Sequence, residues 1–194
     1  PTVRYAARWH LRPGQPLVFY LDPALPAEYR PFVTAGIKAW ERALTAAGWA
    51  QMIVVKQLEK GAALGDLRFL ILRWETLVSA RINGVTSSVV DPRTGELLSA
   101  TVVLDGDALL DHRLLRLMLM LQGKLRPGEP LPLEFVGQMI KKTTMHEVGH
   151  ALGLPHNFAA SLATPVDKLS DAEWVKTHGV ASSVMDYPAV NLPM

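Results

Sequence analysis

Short apolar runs separated by polar or turn-forming residues dominate the first hundred positions of the chain. The runs at 16–21, 52–58 and 67–74 are rich in Val, Ile, Leu and aromatic residues, so each predicts a β-strand. Two further β-favouring runs, at 85–90 and 97–104, flank a turn-forming stretch and predict a hairpin. Five strands are therefore expected in this part of the chain.

Apolar residues spaced three and four positions apart predict the helices. This spacing runs from Tyr29 to Ala47, with Gly48 placed for a left-handed C-terminal cap. Residues 109–125 are strongly apolar and helical in character, and residues 133–152 predict a long helix. Near the end, Ser170–Glu173 resembles a capping box that starts a short helix.

Composition narrows the class of protein. A chain of 194 residues is most simply one domain, and 49% apolar and 20% charged residues are typical of a folded protein. The formal net charge of +2 gives no reason to expect a nucleic-acid partner. No apolar run is long enough to span a bilayer. The start at Pro1 and the absence of a leader suggest a segment excised from a longer protein.

The sequence HEVGHALGLPH, at 146–156, carries the candidate chemistry. At 3.6 residues per turn, His146 and His150 project from one helix face about 6 Å apart and can bind one metal ion. Glu147 is rotated by about 100° from His146, which is where a general base would sit beside a metal-bound water. Because the chain has no cysteine, a metal here must use His, carboxylate or water ligands.

A third ligand requires the chain to turn back. Gly153 allows a positive φ angle at low cost, and Pro155 prevents the helix from resuming, so His156 can return towards the first two histidines. Three His ligands with one position left for water are typical of catalytic zinc. The HExxH pattern alone also occurs by chance, and a degenerate, metal-free relic of such a site stays open as an alternative.

Together with SSVMDYP about thirty residues later, this motif resembles the metzincin clan of zinc endopeptidases, whose second signature is a methionine-containing turn beneath the metal. The resemblance implies that Met185 forms an apolar floor under the histidines without binding the metal. An ordinary core methionine is the alternative. Together with the VVDPRTGELLSA hairpin, the two motifs look closest to large bacterial exported metalloproteases in which this domain is one of several.

The residues beside the methionine and the third histidine refine the resemblance. Astacins and serralysins carry a tyrosine two residues after the methionine, so Tyr187 is expected to face the zinc as a switchable ligand or oxyanion donor. A buried structural tyrosine is the alternative. Asp186 is expected to be an acceptor that stabilises the turn. Asn157 departs from the residues that better-known metzincin families have after the third histidine, which argues against those families.

The resemblance also implies a fold. We expect an α/β (α+β) domain, with a twisted mixed sheet of about five strands, two long helices packed on it and an active-site helix ending at HExxH. The N-terminal subdomain would cover about 1–153, and a small C-terminal subdomain with the Met turn about 154–194. In metzincins the substrate pairs with an edge strand. The candidate here is Ser99–Leu104, with Ala100 and Val102 offering backbone groups, unless this strand is internal.

The sequence therefore predicts a zinc-dependent endopeptidase with one catalytic Zn²⁺, acting on protein or peptide substrates. Two alternatives are a catalytically silent zinc-containing binding or assembly module and a zinc hydrolase of a non-peptide amide. Export to the periplasm, the cell surface or the extracellular space, and further domains in the same precursor, are expectations from the family resemblance alone.

Overall fold

A single five-stranded sheet forms the centre of the computed structural model, which describes residues 6–59, 61–62, 69–76, 83–110 and 113–188. The strands are β1 (Leu17–Leu21), β2 (Ile53–Gln57), β3 (Leu70–Glu75), β4 (Gly84–Val90) and β5 (Leu97–Asp105). Their spatial order is β2-β1-β3-β5-β4, with β4 antiparallel to β5 and every other pair parallel. The mixed sheet of about five strands and the hairpin that the sequence predicts are confirmed.

The strand predicted to lie at the edge of the sheet, β5, is internal. β5 pairs with β3 on one side and β4 on the other, so its backbone groups are used on both sides. Ala100 and Val102 are only 2% and 1% exposed. The prediction that Ser99–Leu104 is an edge strand open to a peptide is therefore wrong, and the alternative of an internal strand is right. The edge strand on this side of the sheet is β4, and β2 is the edge strand on the other side.

The hairpin contains one irregularity. Its register shifts between Val89 and Val90, whose partners are Ser99 and Leu97, so Leu98 is an extra residue on β5. Such a bulge disrupts the ladder and increases the local twist. The regular part of β4 therefore ends at Val89.

Six helices accompany the sheet in the described residues: α1 (Arg30–Lys38), α2 (Trp40–Ala46), α3 (Gly106–Leu110), α4 (Arg113–Leu121), α5 (Leu133–Ala151) and α6 (Ala172–His178). Short 3-10 turns lie at Ala27–Tyr29, Ala160–Ala163 and Val166–Ser170.

The first predicted helix appears as α1 and α2, divided at Ala39, whose backbone angles (φ −59°, ψ −26°) stay helical. Gly48 has φ +89°, and the N–H groups of Gly48 and Trp49 donate to the carbonyls of Thr45 and Leu44. These two bonds are the Schellman pattern, which confirms the glycine cap.

Two other predicted helices need correction. The helix predicted at 109–125 ends at Leu121, and residues 111 and 112 lie outside the described part. The short helix α6 is present, but its N-cap is Asp171, whose Oδ1 accepts the Trp174 N–H at 3.0 Å. Ser170 belongs to the preceding 3-10 turn, so the predicted capping box is displaced by one residue.

The long helix α5, which carries the HExxH motif, is held in place by packing contacts and by two side-chain hydrogen bonds. It packs on α1 and lies over β4 and β5, with fully buried Ile140 and Val148 in the core. The indole N–H of Trp40 donates to the Met145 carbonyl at 2.9 Å, and that of Trp9 donates to the Ala151 carbonyl at 2.8 Å. The last turns of α5 are thus fixed by two tryptophans from distant parts of the chain. No helix in the described residues is long and apolar enough to cross a bilayer.

Candidate metal centre

Three histidine nitrogens converge at the C-terminal end of α5. His146 and His150 lie one turn apart on this helix, as predicted, and His156 returns from the segment that follows. The Nε2 atom of His156 is 3.2 Å from that of His146 and 3.1 Å from that of His150. In the described residues this is the one group of three or more His, Cys, Asp or Glu side chains that could hold a metal ion.

The end of α5 turns the chain as the sequence predicts. The N–H groups of Gly153 and Leu154 donate to the carbonyls of His150 and Gly149, which is a Schellman end. Gly153 has φ +95°, a conformation that side chains other than glycine rarely adopt. The turn directs the Leu154 carbonyl to His150 and leads the chain to His156.

Replacing Gly153 by Ala is expected to destabilise the fold. Besides the positive φ, an added Cβ would lie 2.4 Å from the carbonyl oxygen of Ala7, a backbone atom. We expect a loss of about 2 kcal/mol or more in the free energy of unfolding, measured by urea denaturation. Gly48→Ala is the matched control, since Gly48 occupies the equivalent cap of α2 and a Cβ added there would meet nothing within 4 Å. Equal losses in the two variants would contradict the role given to the Ala7 contact.

Backbone carbonyls fix the tautomers of two histidines. His146 Nδ1 is 2.7 Å from the Val184 carbonyl oxygen, and His150 Nδ1 is 2.8 Å from that of Leu154. Because a carbonyl only accepts, both Nδ1 atoms carry the proton and both Nε2 atoms present a lone pair. Burial lowers the pKa of His146, an effect only partly opposed by the bond to Val184, and this favours the neutral ring that binds metals.

Glu147 is 6% exposed and borders a cavity of about 300 Å³ beside the histidines. Its Oε2 accepts the hydroxyl of Thr86 at 2.8 Å. In the described part of the chain its other carboxylate oxygen, Oε1, has no hydrogen-bond donor. The remaining walls of the cavity are His150, His156, Tyr187 and residues of the edge strand β4: Gly84, Val85, Thr86 and Ser88.

Met185 packs against Gly149 of α5. It is 3% exposed, and its sulfur packs so closely on Gly149 that a Cβ at that glycine would lie 2.2 Å away. Its carbonyl accepts the Asn157 N–H at 2.9 Å, which joins the segment after His156 to the segment around the methionine.

Tyr187 lies over the histidine cluster. Its ring centroid is 5.0 Å from that of His146 and 4.5 Å from that of His156, and its side chain is 64% exposed, so the alternative of a buried structural tyrosine is wrong. Burial raises the pKa of Tyr187, and the charge of Glu147 adds to this, so the phenol keeps its proton at neutral pH.

Asp186 has the role predicted for it. Its Oδ1 accepts the Tyr187 N–H and its Oδ2 accepts the Ser161 N–H, both at 2.7 Å. Burial raises the pKa of Asp186, but these hydrogen bonds outweigh it and the net pKa is lowered. Asp186 therefore stabilises the turn as an ionised acceptor.

Residues 128–194 match the model of a protein family described as Met-zincin. The C-terminal third of the chain is thus similar to the Met-zincin family. A solved structure described as "GM1 bound form of the ECX AB5 holotoxin" aligns at a TM-score of 0.42 and 18% identity, over 75% of this chain and 55% of that one. This chain thus corresponds to little more than half of that chain's length. No curated protein matches the sequence.

The segment that matches the family model contains every residue that the sequence placed at the centre: His146, Glu147, His150, Gly153, His156, Met185 and Tyr187. The structure brings the three histidines, Glu147 and Tyr187 together, and Met185 packs on the same helix α5. It does not bring Ala100 or Val102 to the cavity.

Sequence reasoning missed two contacts of the candidate metal centre. Thr86 bonds to Glu147 from β4, outside the segment that matches the family model. Phe158 stacks on His156 with centroids 5.0 Å apart, and it is 59% exposed beside Tyr187. Phe158 follows the third histidine closely enough to have been considered, whereas nothing in the local sequence connects Thr86 with Glu147.

Proposed function

We propose that this chain is a zinc-dependent endopeptidase domain. The observation that carries the proposal is the convergence of three histidine Nε2 atoms beside a carboxylate in an open cavity. The three histidines would hold the ion, Glu147 would act as general base, and Met185 would form the apolar floor of a Met turn.

The donor set fits zinc. Two nitrogens bound to a tetrahedral zinc at about 2.0–2.1 Å lie about 3.3 Å apart, close to the spacings of 3.1 and 3.2 Å at His156. His146 and His150 direct lone pairs to the centre, and the single proton of a neutral His156 can satisfy only one of them. A cation at this point relieves the remaining repulsion.

Zinc, when bound, supplies a Lewis acid that polarises the substrate carbonyl and activates water. The chain's own residues supply the proton transfers and the positioning. Glu147 takes a proton from the attacking water and delivers it to the leaving amine. Tyr187 donates its phenolic hydrogen bond to the carbonyl oxygen as negative charge develops there.

The edge strand β4 supports a peptide as the substrate. Its outer side is unpaired in the described residues, and four of its residues border the cavity next to Glu147. An extended peptide can add to such an edge as a further strand, with its scissile bond towards the histidines. This role replaces the one predicted for β5. Export and further domains in a longer precursor remain predictions from the family resemblance.

The test combines zinc analysis of the purified chain with a peptide-library cleavage assay. The expected result is about one zinc per chain and cleavage within peptides of several residues. Zinc without cleavage of any peptide would instead indicate the silent binding module, and hydrolysis confined to small amides would indicate the non-peptide hydrolase. Absence of stoichiometric zinc would contradict all three.

Tyr187→Phe tests the oxyanion role separately. Removing the hydroxyl while keeping the ring on His146 and His156 should lower kcat about 100-fold, because one oxyanion donor is lost. KM and zinc content should change little, since the three histidines are untouched. Tyr20→Phe in β1 is the matched control and should keep full activity. An unchanged kcat in Tyr187→Phe would exclude the phenol from transition-state stabilisation.

A further inference from the structure

Thr86, in the middle of the edge strand β4, touches Glu147 at two points. Its Oγ1 lies 2.8 Å from the carboxylate oxygen Oε2 and 2.9 Å from the backbone carbonyl oxygen of the same residue. Its partner across the hairpin is the buried Val102, so both side chains are on the face of the sheet covered by α5. The hydroxyl thus connects the edge strand with the active-site helix.

Gly84, on the same face of β4, also lies close to the side chain of Glu147. Gly84 lies two residues before Thr86, and a Cβ built on it would be 2.9 Å from Glu147 Cγ and 3.2 Å from the Val103 carbonyl oxygen. The absence of a side chain at Gly84 allows the stem of the glutamate to lie against the strand. β4 therefore contacts both the stem and the head of this side chain.

The number of protons available shows which group donates in the contact between Thr86 and Glu147. The Thr86 hydroxyl has one proton, and a carboxylate oxygen is a stronger acceptor than a carbonyl oxygen, so the hydroxyl donates to Oε2. That leaves Oε1 as the oxygen free to receive a proton. When Oε1 takes one, Oε2 still has lone pairs for the same hydroxyl, so the carboxyl group keeps its orientation.

We propose that Thr86 is a positioning residue, which holds the Glu147 carboxylate by one oxygen and presents the other to the reacting water. The proposal rests on the function proposed above, in which Glu147 is the general base. Thr86 lies on β4, the strand that would pair with the peptide. The same strand would therefore position both the substrate and Glu147.

Thr86→Val removes the hydroxyl with little change in shape. We expect kcat to fall about 10- to 100-fold, the loss of one hydrogen bond to a charged group, with KM within about 2-fold and zinc content unchanged. Thr86→Ser keeps the hydroxyl and should restore kcat to within about 3-fold of the wild type. Thr101→Val is the matched control. Thr101 lies on β5, next to Val102, and its side chain is on the opposite face of the sheet from that of Thr86, so this variant should leave kcat unchanged.

Crystal structures of the zinc-free variants give a readout that needs no activity. The Glu147 carboxylate should leave its present position in Thr86→Val and keep it in Thr86→Ser. Thr86→Ala takes the place of Thr86→Val if the latter does not fold. A carboxylate that stays in place without the hydroxyl, or an unchanged kcat in an active protein, would overturn the proposal. If the wild type cleaves no peptide, the proposed function fails, and the crystal structures alone decide whether Thr86 holds the carboxylate.

Discussion

Replacing Glu147 by Gln should reduce peptide cleavage, measured as kcat/KM, by about 1000-fold without removing zinc. Glutamine has nearly the same shape as glutamate, and its amide oxygen can still accept the Thr86 hydroxyl. It cannot take a proton from water, however, and general-base catalysis of this kind contributes about 100- to 10,000-fold. The measurement is steady-state cleavage of a library-selected peptide, with metal analysis of the same preparation.

Glu134→Gln is the control for this substitution. Glu134 lies in the first turn of the same helix α5, where its carboxylate accepts an exposed bond from Gln138 at 2.7 Å. This variant should keep its activity, because the changed carboxylate lies at the opposite end of the helix from the histidines. Substantial cleavage by Glu147→Gln would mean that another group is the base.

The second large effect concerns the metal. Zinc at a thousandfold excess over its Kd should stabilise the wild type by about 4 kcal/mol, provided that it binds only the folded state. His156→Ala should lose most of this stabilisation, because two histidines on one helix face then remain without the third ligand. Thermal unfolding of the metal-free chain, recorded with and without added zinc, measures the difference.

The control for His156→Ala is His178→Ala. His178 stacks on Trp174 at the end of α6 with centroids 4.5 Å apart, and it does not belong to the metal-ligand cluster. It should leave the zinc-dependent shift in Tm intact. A shift that survives in His156→Ala, or that is missing in the wild type, would exclude the three-histidine site.

The centre of the site could be predicted because its geometry is local. Helical spacing determines how His146 and His150 face each other, and the glycine with its Schellman end determines how the chain returns to His156. These relations involve eleven consecutive residues, 146–156, and need no knowledge of the rest of the fold. The same holds for the hairpin, whose turn-forming residues lie between its two strands.

The order of the strands could not be predicted in the same way. Chain order places β5 last, yet β4 lies outside it in the sheet. The composition of the two strands did contain a signal. β4 includes the adjacent polar residues Ser87 and Ser88 and is largely exposed, whereas β5 is buried along most of its length. A strand covered on both sides needs a more continuous apolar sequence than a strand at the edge.

The partners that orient the site residues were also beyond sequence reasoning. Thr86 is 61 residues from Glu147, and Val184 is 38 residues from His146. A threonine hydroxyl and a backbone carbonyl are common groups whose role depends only on tertiary placement. Only the folded chain identifies which of them meets the carboxylate or the imidazole.

The bulge opposite Val89 and Val90 sets a length limit on what β4 can hold. The regular edge runs from Gly84 to Val89, which at about 3.4 Å per residue is roughly 20 Å. A peptide paired along it would form strand hydrogen bonds over about six residues. Peptide residues beyond the bulge would not continue this regular hydrogen bonding. The bulge also disfavours pairing of the exposed β4 edge with another copy of the chain, because short and twisted edge strands are poor templates for aggregation.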